Sequence, residues 1–248
     1  YASEIEEYTE EDTVEDYPVS VFLSNEGYFK KITPQSLRMS SEQKFKDGDA
    51  LKMSFEATNR TELLVFTDRQ QVYKTRLSDF DDTKASALGA YLPTKLSMDD
   101  GERVLEIICP GDYRKNLLLF FENGKVARLD LESYETKTNR KKLINAYSDK
   151  SPLAAVYMIS EEIDMAAFAI DGRAMVFNTT LLPLKTSRTT QGVAVMSLKK
   201  NSKLVSAAPL SETVIKNVSR YRVRSLPAAG ALLKEDDRGE TQMSLIDD

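Results

Sequence analysis

Cations recur at a fixed place in this sequence. Four stretches, "VFLSNEGYFKKI" (21–32), "LLVFTDRQQVYKTRL" (63–77), "LLLFFENGKVARLDL" (117–131) and "MAAFAIDGRAMVFNT" (165–179), each carry an apolar run into a short turn. The turns are anchored at Gly27, Gln70, Gly124 and Gly172, and an apolar residue follows two positions later at Phe29, Val72, Val126 and Ala174. Four positions past the anchor stand Lys31, Lys74, Arg128 and Val176, so three of four copies place a cation there. Lys30, Arg76 and Lys125 sit beside these positions. Positive groups repeated at a fixed spacing suit electrostatic attachment to a polyanion, a contact that positions a ligand without reading its sequence.

Other chemistries find little support. Histidine is absent, which removes the commonest general base and metal ligand together. The single cysteine, Cys109, excludes an internal disulfide and a thiolate zinc site and reads as a buried structural thiol. Neither G-x-x-x-x-G-K-[ST] nor G-x-G-x-x-G occurs among the ten glycines. With 39 carboxylates in one chain, a catalytic pair has no predictive value. No catalytic residue and no metal ligand is therefore assigned.

Net charge is -5 over 248 residues, but the acid lies at the ends. Residues 1–16 hold eight acidic and no basic groups, and residues 235–248 hold six acidic groups and one basic, Arg238. The body from Tyr17 to Lys234 thus carries +8. Hydrophobic content of 41% is enough for a folded core. No stretch approaches the roughly 20 apolar residues of a membrane span, and the N-terminus is acidic where a signal peptide would be basic, so a cytoplasmic location is expected.

Two β-branched or aromatic runs around a tight turn read as a β-hairpin. The anchors are 43, 54 and 48 residues apart. A second series of polar turns, at Asp47, Asp100, Asp149 and Lys200, launches a further strand in each unit. About four short strands per fifty residues is the arithmetic of a propeller blade. Blades are expected at about 17–60, 61–113, 114–161 and 162–203, with a degenerate fifth at 204–234 that lacks the glycine turn. An acidic lead-in, 1–16, precedes them, with a helix expected around Ile5 to Glu11. An acidic tail, 235–248, follows. Segments "PQSLRMSSEQ" and "LESYETKTNRKKL" read as rim loops or strands.

Without tryptophan or histidine the chain lacks the signatures of WD and kelch propellers. "SNEGYFKKI", "TDRQQVYKTRL" and "RTTQGVAVMSLKKNSKLVSA" instead resemble the C-terminal DNA-binding domains of bacterial type IIA topoisomerase A subunits, the gyrase and topoisomerase IV family. Those domains repeat T-x-x-G-x-φ-x-[KR] and T-x-G-V-x-x-φ-x-L, where φ is apolar; the latter matches Thr190, Gly192, Val193, Met196 and Leu198. The likeness runs from about Ile5 to about Ser225, and the lead-in is similar to the junction that leaves the family's cleavage core. It implies an all-β fold, here a five-bladed β-pinwheel, which binds or bends duplex DNA. The resemblance also implies a non-catalytic module without its own cofactor. The rest of the A subunit would form a homodimer, and an ATPase B subunit using ATP and Mg2+ would complete a heterotetramer on the nucleoid.

The family's gyrase box, Q-R-R-G-G-K-G, should follow the first hairpin, where this chain has "MSSEQKFKDGDA" (39–50). Lys44 and Lys46 remain, but Glu42, Asp47 and Asp49 nearly cancel them, which favours a topoisomerase IV-like domain over a DNA-wrapping gyrase domain. Together with the hairpin cations, the expected DNA contacts are Arg38, Lys44, Lys46, Arg188, Lys199, Lys200 and the alternating Arg220, Arg222 and Arg224, which would share one strand face. The acidic tail is expected to be mobile and to compete with phosphate for these cations. A propeller-type scaffold for protein partners, with an incidental basic body, is the alternative of another class.

Overall fold

The computed structural model describes residues 13–136 and 140–239, so the expected helix at Ile5 to Glu11 and the end of the tail lie outside the described residues. The described residues divide into two compact units: those up to 69 with 73–111, and 70–72 with those from 112 onward. All four repeated stretches are antiparallel hairpins. They are β1 (Pro18–Ser24) with β2 (Tyr28–Ile32), β4 (Glu62–Thr67) with β5 (Val72–Arg76), β9 (Asn116–Phe121) with β10 (Lys125–Asp130), and β13 (Asp164–Ala169) with β14 (Arg173–Asn178). The turn anchors have left-handed backbones, with φ of +99° at Gly27, +54° at Gln70, +83° at Gly124 and +85° at Gly172. Gln70 therefore occupies a glycine's conformation, which is why its repeat aligns without a glycine.

The second series of polar turns launches β3 (Leu51–Thr58), β8 (Val104–Ile108), β12 (Leu153–Ile159) and β17 (Leu204–Pro209). Each pairs antiparallel with the first strand of the preceding hairpin, and each pairing shifts register once at the turn end. Such a shift is a β-bulge, which bends and twists the strand.

The remaining strands exchange between hairpins. In the first unit, β6 (Asp82–Thr83) and β7 (Ala90–Tyr91) follow the second hairpin but pair with β2 of the first, parallel at Lys31–Asp82 and antiparallel at Phe29–Ala90. In the second unit, β15 (Leu184–Lys185) and β16 (Val193–Ala194) follow the fourth hairpin but pair with β10 of the third. A two-residue strand, β11 (Lys142–Leu143), follows the third hairpin, and β18 (Ala231–Leu232) closes the fourth sheet against β14. Each unit packs one main cluster across its hairpins, around Val21, Phe29, Val65 and Leu77 in the first and around Phe120, Met175 and Phe177 in the second.

Among the described residues there are four sheets, not five. The segment read as a fifth blade supplies β17 to the fourth sheet, then a one-turn helix, then β18. Without a glycine turn, residues 204–234 have no hairpin of their own, and their apolar residues bury against the fourth hairpin through Leu204, Ala207, Tyr221 and Leu233. The helix is α3 (Val218–Tyr221), so Arg220, Arg222 and Arg224 do not alternate along a strand as their spacing predicts; only Arg222 forms a β-bridge, with Val176. Two further short helices, α1 (Pro34–Met39) and α2 (Leu92–Lys95), precede β3 and β8. The first replaces the expected rim loop: Thr33 caps it by accepting from the Ser36 N–H at 3.3 Å, and Pro34 opens it.

A second glycine series positions the exchanged strands. Gly89, Gly192 and Gly230 have φ between +72° and +91° and precede β7, β16 and β18. Three residues further on, the N–H of Leu92, Val195 and Leu233 donates to the anchor carbonyl of Gly27, Gly124 and Gly172; Ala146 does the same for Gln70, all at 2.9–3.0 Å. A Cβ on Gly192 would lie 2.0 Å from the Val126 carbonyl oxygen. Gly192→Ala is therefore expected to cost about 3 kcal/mol, combining backbone strain with displacement of β16, as read by chemical denaturation.

The start of the acidic tail is packed, against the expectation that it is too polar to do so. Glu235–Asp237 forms a 3-10 turn, and Asp237, 3% exposed, accepts from the Lys216 and Asn217 N–H groups and from the Tyr221 hydroxyl. Those donors, the Lys216 amide foremost, hold its carboxyl below the usual range. Arg222 does the same for Asp164, and Arg128 for Glu162. A carboxylate with a lowered folded pKa stabilises above its unfolded value, about 4, and loses that contribution as pH falls through the folded value. Urea midpoints are accordingly expected to be flat from pH 7 to 5 and to drop below about pH 4, and Asp237→Asn to blunt the drop.

Candidate nucleic-acid interface

The hairpin cations are structural. Lys31 is 3% exposed; its Nζ donates to Asn59 Oδ1 at 2.7 Å and to the Leu77 carbonyl at 3.1 Å, and pairs with Asp82 at 3.2 Å. Tyr17 closes this cluster, its hydroxyl donating to both Asp82 oxygens and its ring lying under the Lys31 ammonium. Burial, with the Asp82 carboxylate beside it, pushes the Tyr17 hydroxyl up to about 12. Arg128 repeats the arrangement in the second unit: it donates to both Glu162 oxygens, to Asn116 Oδ1 and to the Thr179 carbonyl. Leu77 and Thr179 each open the 3-10 turn after the following hairpin. In the first and third hairpins the cation at position four thus ties its hairpin to the one that follows, on the same strand face as the buried residue at position two, whereas Lys74 in the second approaches Glu62 of its own hairpin. In the fourth copy Val176 stands at this position, and Arg222, from beyond the hairpin, chelates Asp164 at 2.8 and 3.1 Å.

Other expected contacts are also engaged. Lys30 is 2% exposed and fully enclosed by acceptors. Lys74 and Arg76 both approach Glu62, at 3.6 and 3.8 Å. Lys125 donates to Gln191, Arg188 to the Ser133 carbonyl over the Tyr134 ring, and Arg220 to the Leu232 carbonyl. Of the expected contacts, those that stay exposed and without an ion pair among the described residues form a different subset. In the first unit it comprises Arg38 on α1 and Lys44 and Lys46 on the loop after it; in the second, Lys199 and Lys200 in the turn before β17, and Arg224 after α3. Arg114 and Lys115, adjacent and exposed before β9, belong with them and fall outside the hairpin pattern; the basic pair itself is the signal that finds them.

The loop that replaces the box is less neutral than its sequence suggests. Asp49 turns inward, accepting from the Glu26 N–H at 3.1 Å and the Ala50 N–H at 2.8 Å, so its charge serves the hairpin turn. Lys44 and Lys46 face solvent, Lys46 over the Tyr28 ring at 5.5 Å.

Four hairpin-based sheets, with strands exchanged between hairpins within each unit and lysine and arginine exposed in both, define an all-β protein built of repeated hairpins with basic turns. Comparison with known proteins specifies the type. A family model described as the DNA gyrase C-terminal domain, β-propeller, matches residues 61–89 and 171–211. The A subunit of DNA gyrase from Metamycoplasma arthritidis is 24% identical over 212 residues, 80% of this chain and 23% of that protein. The A subunit of DNA topoisomerase 4 from Staphylococcus epidermidis is 22% identical over 235 residues, 92% of this chain and 29% of that protein. Among solved structures, the C-terminal domain of DNA topoisomerase IV superposes with a TM-score of 0.75 at 20% identity, covering 89% of this chain and 73% of that one; the E. coli ParC C-terminal domain gives 0.63 at 14%, covering 88% and 94%. The chain is similar over most of its length to gyrase and topoisomerase IV A subunits and has the fold of their C-terminal domains. It spans about a quarter of the length of those two relatives.

Proposed function

We propose that the chain is a non-catalytic, sequence-independent duplex-binding domain of a type IIA topoisomerase A subunit. The observation that carries this reading is the set of exposed cations without an ion pair among the described residues, Lys44, Lys46, Lys199 and Lys200 foremost, on a fold shared with topoisomerase C-terminal domains. The remainder of the A subunit would supply strand cleavage as a homodimer, and an ATPase B subunit would supply ATP- and Mg2+-dependent motion. No helix among the described residues is long and apolar enough to cross a membrane. On this reading the domain would act at the nucleoid. Fluorescence anisotropy with unrelated 30-base-pair duplexes tests the reading: equal affinities across sequences, falling steeply with salt, are expected. Salt-insensitive or absent binding would favour a protein scaffold.

The topoisomerase IV-like assignment rests on the loop at Met39 to Ala50, which lacks the arginines and paired glycines of the box. A nicked circle ligated with the domain bound is expected to show little change in linking number. A large change of one sign would assign the chain to the gyrase side.

A further inference from the structure

We propose that Lys30 is a positioning residue that holds a preformed two-lysine phosphate contact, Lys44 and Lys46, against the first sheet; this rests on the DNA-binding reading above. A buried ammonium is costly unless its donors are hydrogen-bonded, so the three acceptors around Lys30 and the charge hold one another in place. Lys30 Nζ donates to Gln43 Oε1 at 3.1 Å, to the Lys44 carbonyl at 2.8 Å and to the Ala85 carbonyl at 2.9 Å. Two of those acceptors belong to the loop and the third to the segment leading to β7. The Lys44 N–H donates to the same Ala85 carbonyl at 2.8 Å, so loop and segment are joined twice at one point. Phe45, between the two exposed lysines, lies over the Lys30 ammonium at 5.5 Å. The far end is pinned independently: Asn25 N–H donates to the Ala50 carbonyl at 2.9 Å and Asp49 accepts from Glu26. Burial lowers the Lys30 pKa, in keeping with an ammonium drawn out of water into carbonyl oxygens.

This arrangement inverts the logic of a glycine-rich loop. Glycines let a backbone mould itself to phosphates on contact, at an entropic cost. Here side-chain clasps remove that freedom beforehand, so Lys44 and Lys46 start from one loop conformation and binding forfeits less conformational entropy.

The test compares duplex binding of the intact chain, Lys30→Met and Lys44→Ala/Lys46→Ala. The double variant is expected to bind about fivefold to thirtyfold more weakly at low salt and to lower the salt slope by about 1.8, two phosphates' worth. Lys30→Met is expected to bind at least threefold more weakly with a reduced salt slope, although its Nζ cannot reach a phosphate, and trypsin is expected to cut after Lys44 and Lys46 several times faster. Combining the changes is expected to add little to the double variant's loss. Lys30→Met that binds like the intact chain overturns the positioning role, and so does a loss in Lys30→Met without one in the double variant. If Lys30→Met fails to fold, hydrogen exchange on the intact chain decides: strong protection of the Lys44 amide is expected, and exchange at loop rates overturns the clasp. Both variants binding like the intact chain would overturn this inference while leaving duplex binding standing, whereas no binding by the intact chain would remove the reading on which it rests.

Discussion

Replacing Lys31 with methionine is expected to lower the melting temperature by about 10 °C and to leave the salt slope of duplex binding unchanged. Methionine fills the volume but leaves Asn59 Oδ1 and the Leu77 carbonyl unsatisfied and Asp82 without its cation. A buried acceptor deprived of its donor costs about 1–3 kcal/mol, so the sum is about 3 kcal/mol, worth some 2–4 °C per kcal/mol in a chain of this size. Arg128→Met is expected to act alike in the second unit, tempered by the partial exposure of Glu162. A variant that keeps its melting temperature but loses DNA affinity would return the hairpin cations to the interface.

The second large effect is the converse. Changing Lys44, Lys46, Lys199 and Lys200 together to alanine is expected to leave the melting temperature within a degree or two, because none of them has an ion pair among the described residues. Duplex affinity at low salt is expected to fall by about 30-fold to 1,000-fold, on the basis of roughly 0.5–1 kcal/mol for each contact. The slope of log K against log salt is expected to shrink by about 3.6, four times the 0.9 of a neutralised phosphate. Full affinity in this variant would move the interface elsewhere, with Arg114 and Lys115 the next residues to change.

The repeat is legible in the residues because its cause is local. A left-handed turn between two apolar runs marks itself wherever it occurs, and even Gln70 is found this way, since spacing and flanking strands identify the anchor without a glycine. The polar turns before β3, β8, β12 and β17 are legible for the same reason. Three features are not. The cation at position four looks like surface charge in sequence, yet Lys31 is buried and Arg128 largely covered, because β6 and β15 arrive from beyond the next hairpin and pair alongside them. The fifth blade dissolves because strand count per segment does not say to which sheet a strand belongs. The acid of Asp49 and Asp237 reads as repulsive charge until backbone N–H groups are seen to point at each carboxylate.

By itself, then, the sequence determined the all-β class, the fourfold hairpin and the places where cations recur, all of which follow from φ preferences and period-two burial within a dozen residues. Tertiary structure alone decided which cations meet solvent. Exposure of a lysine depends on what covers its strand, and here the cover is a strand returning some fifty residues later, which no local pattern around Lys31 or Arg128 encodes.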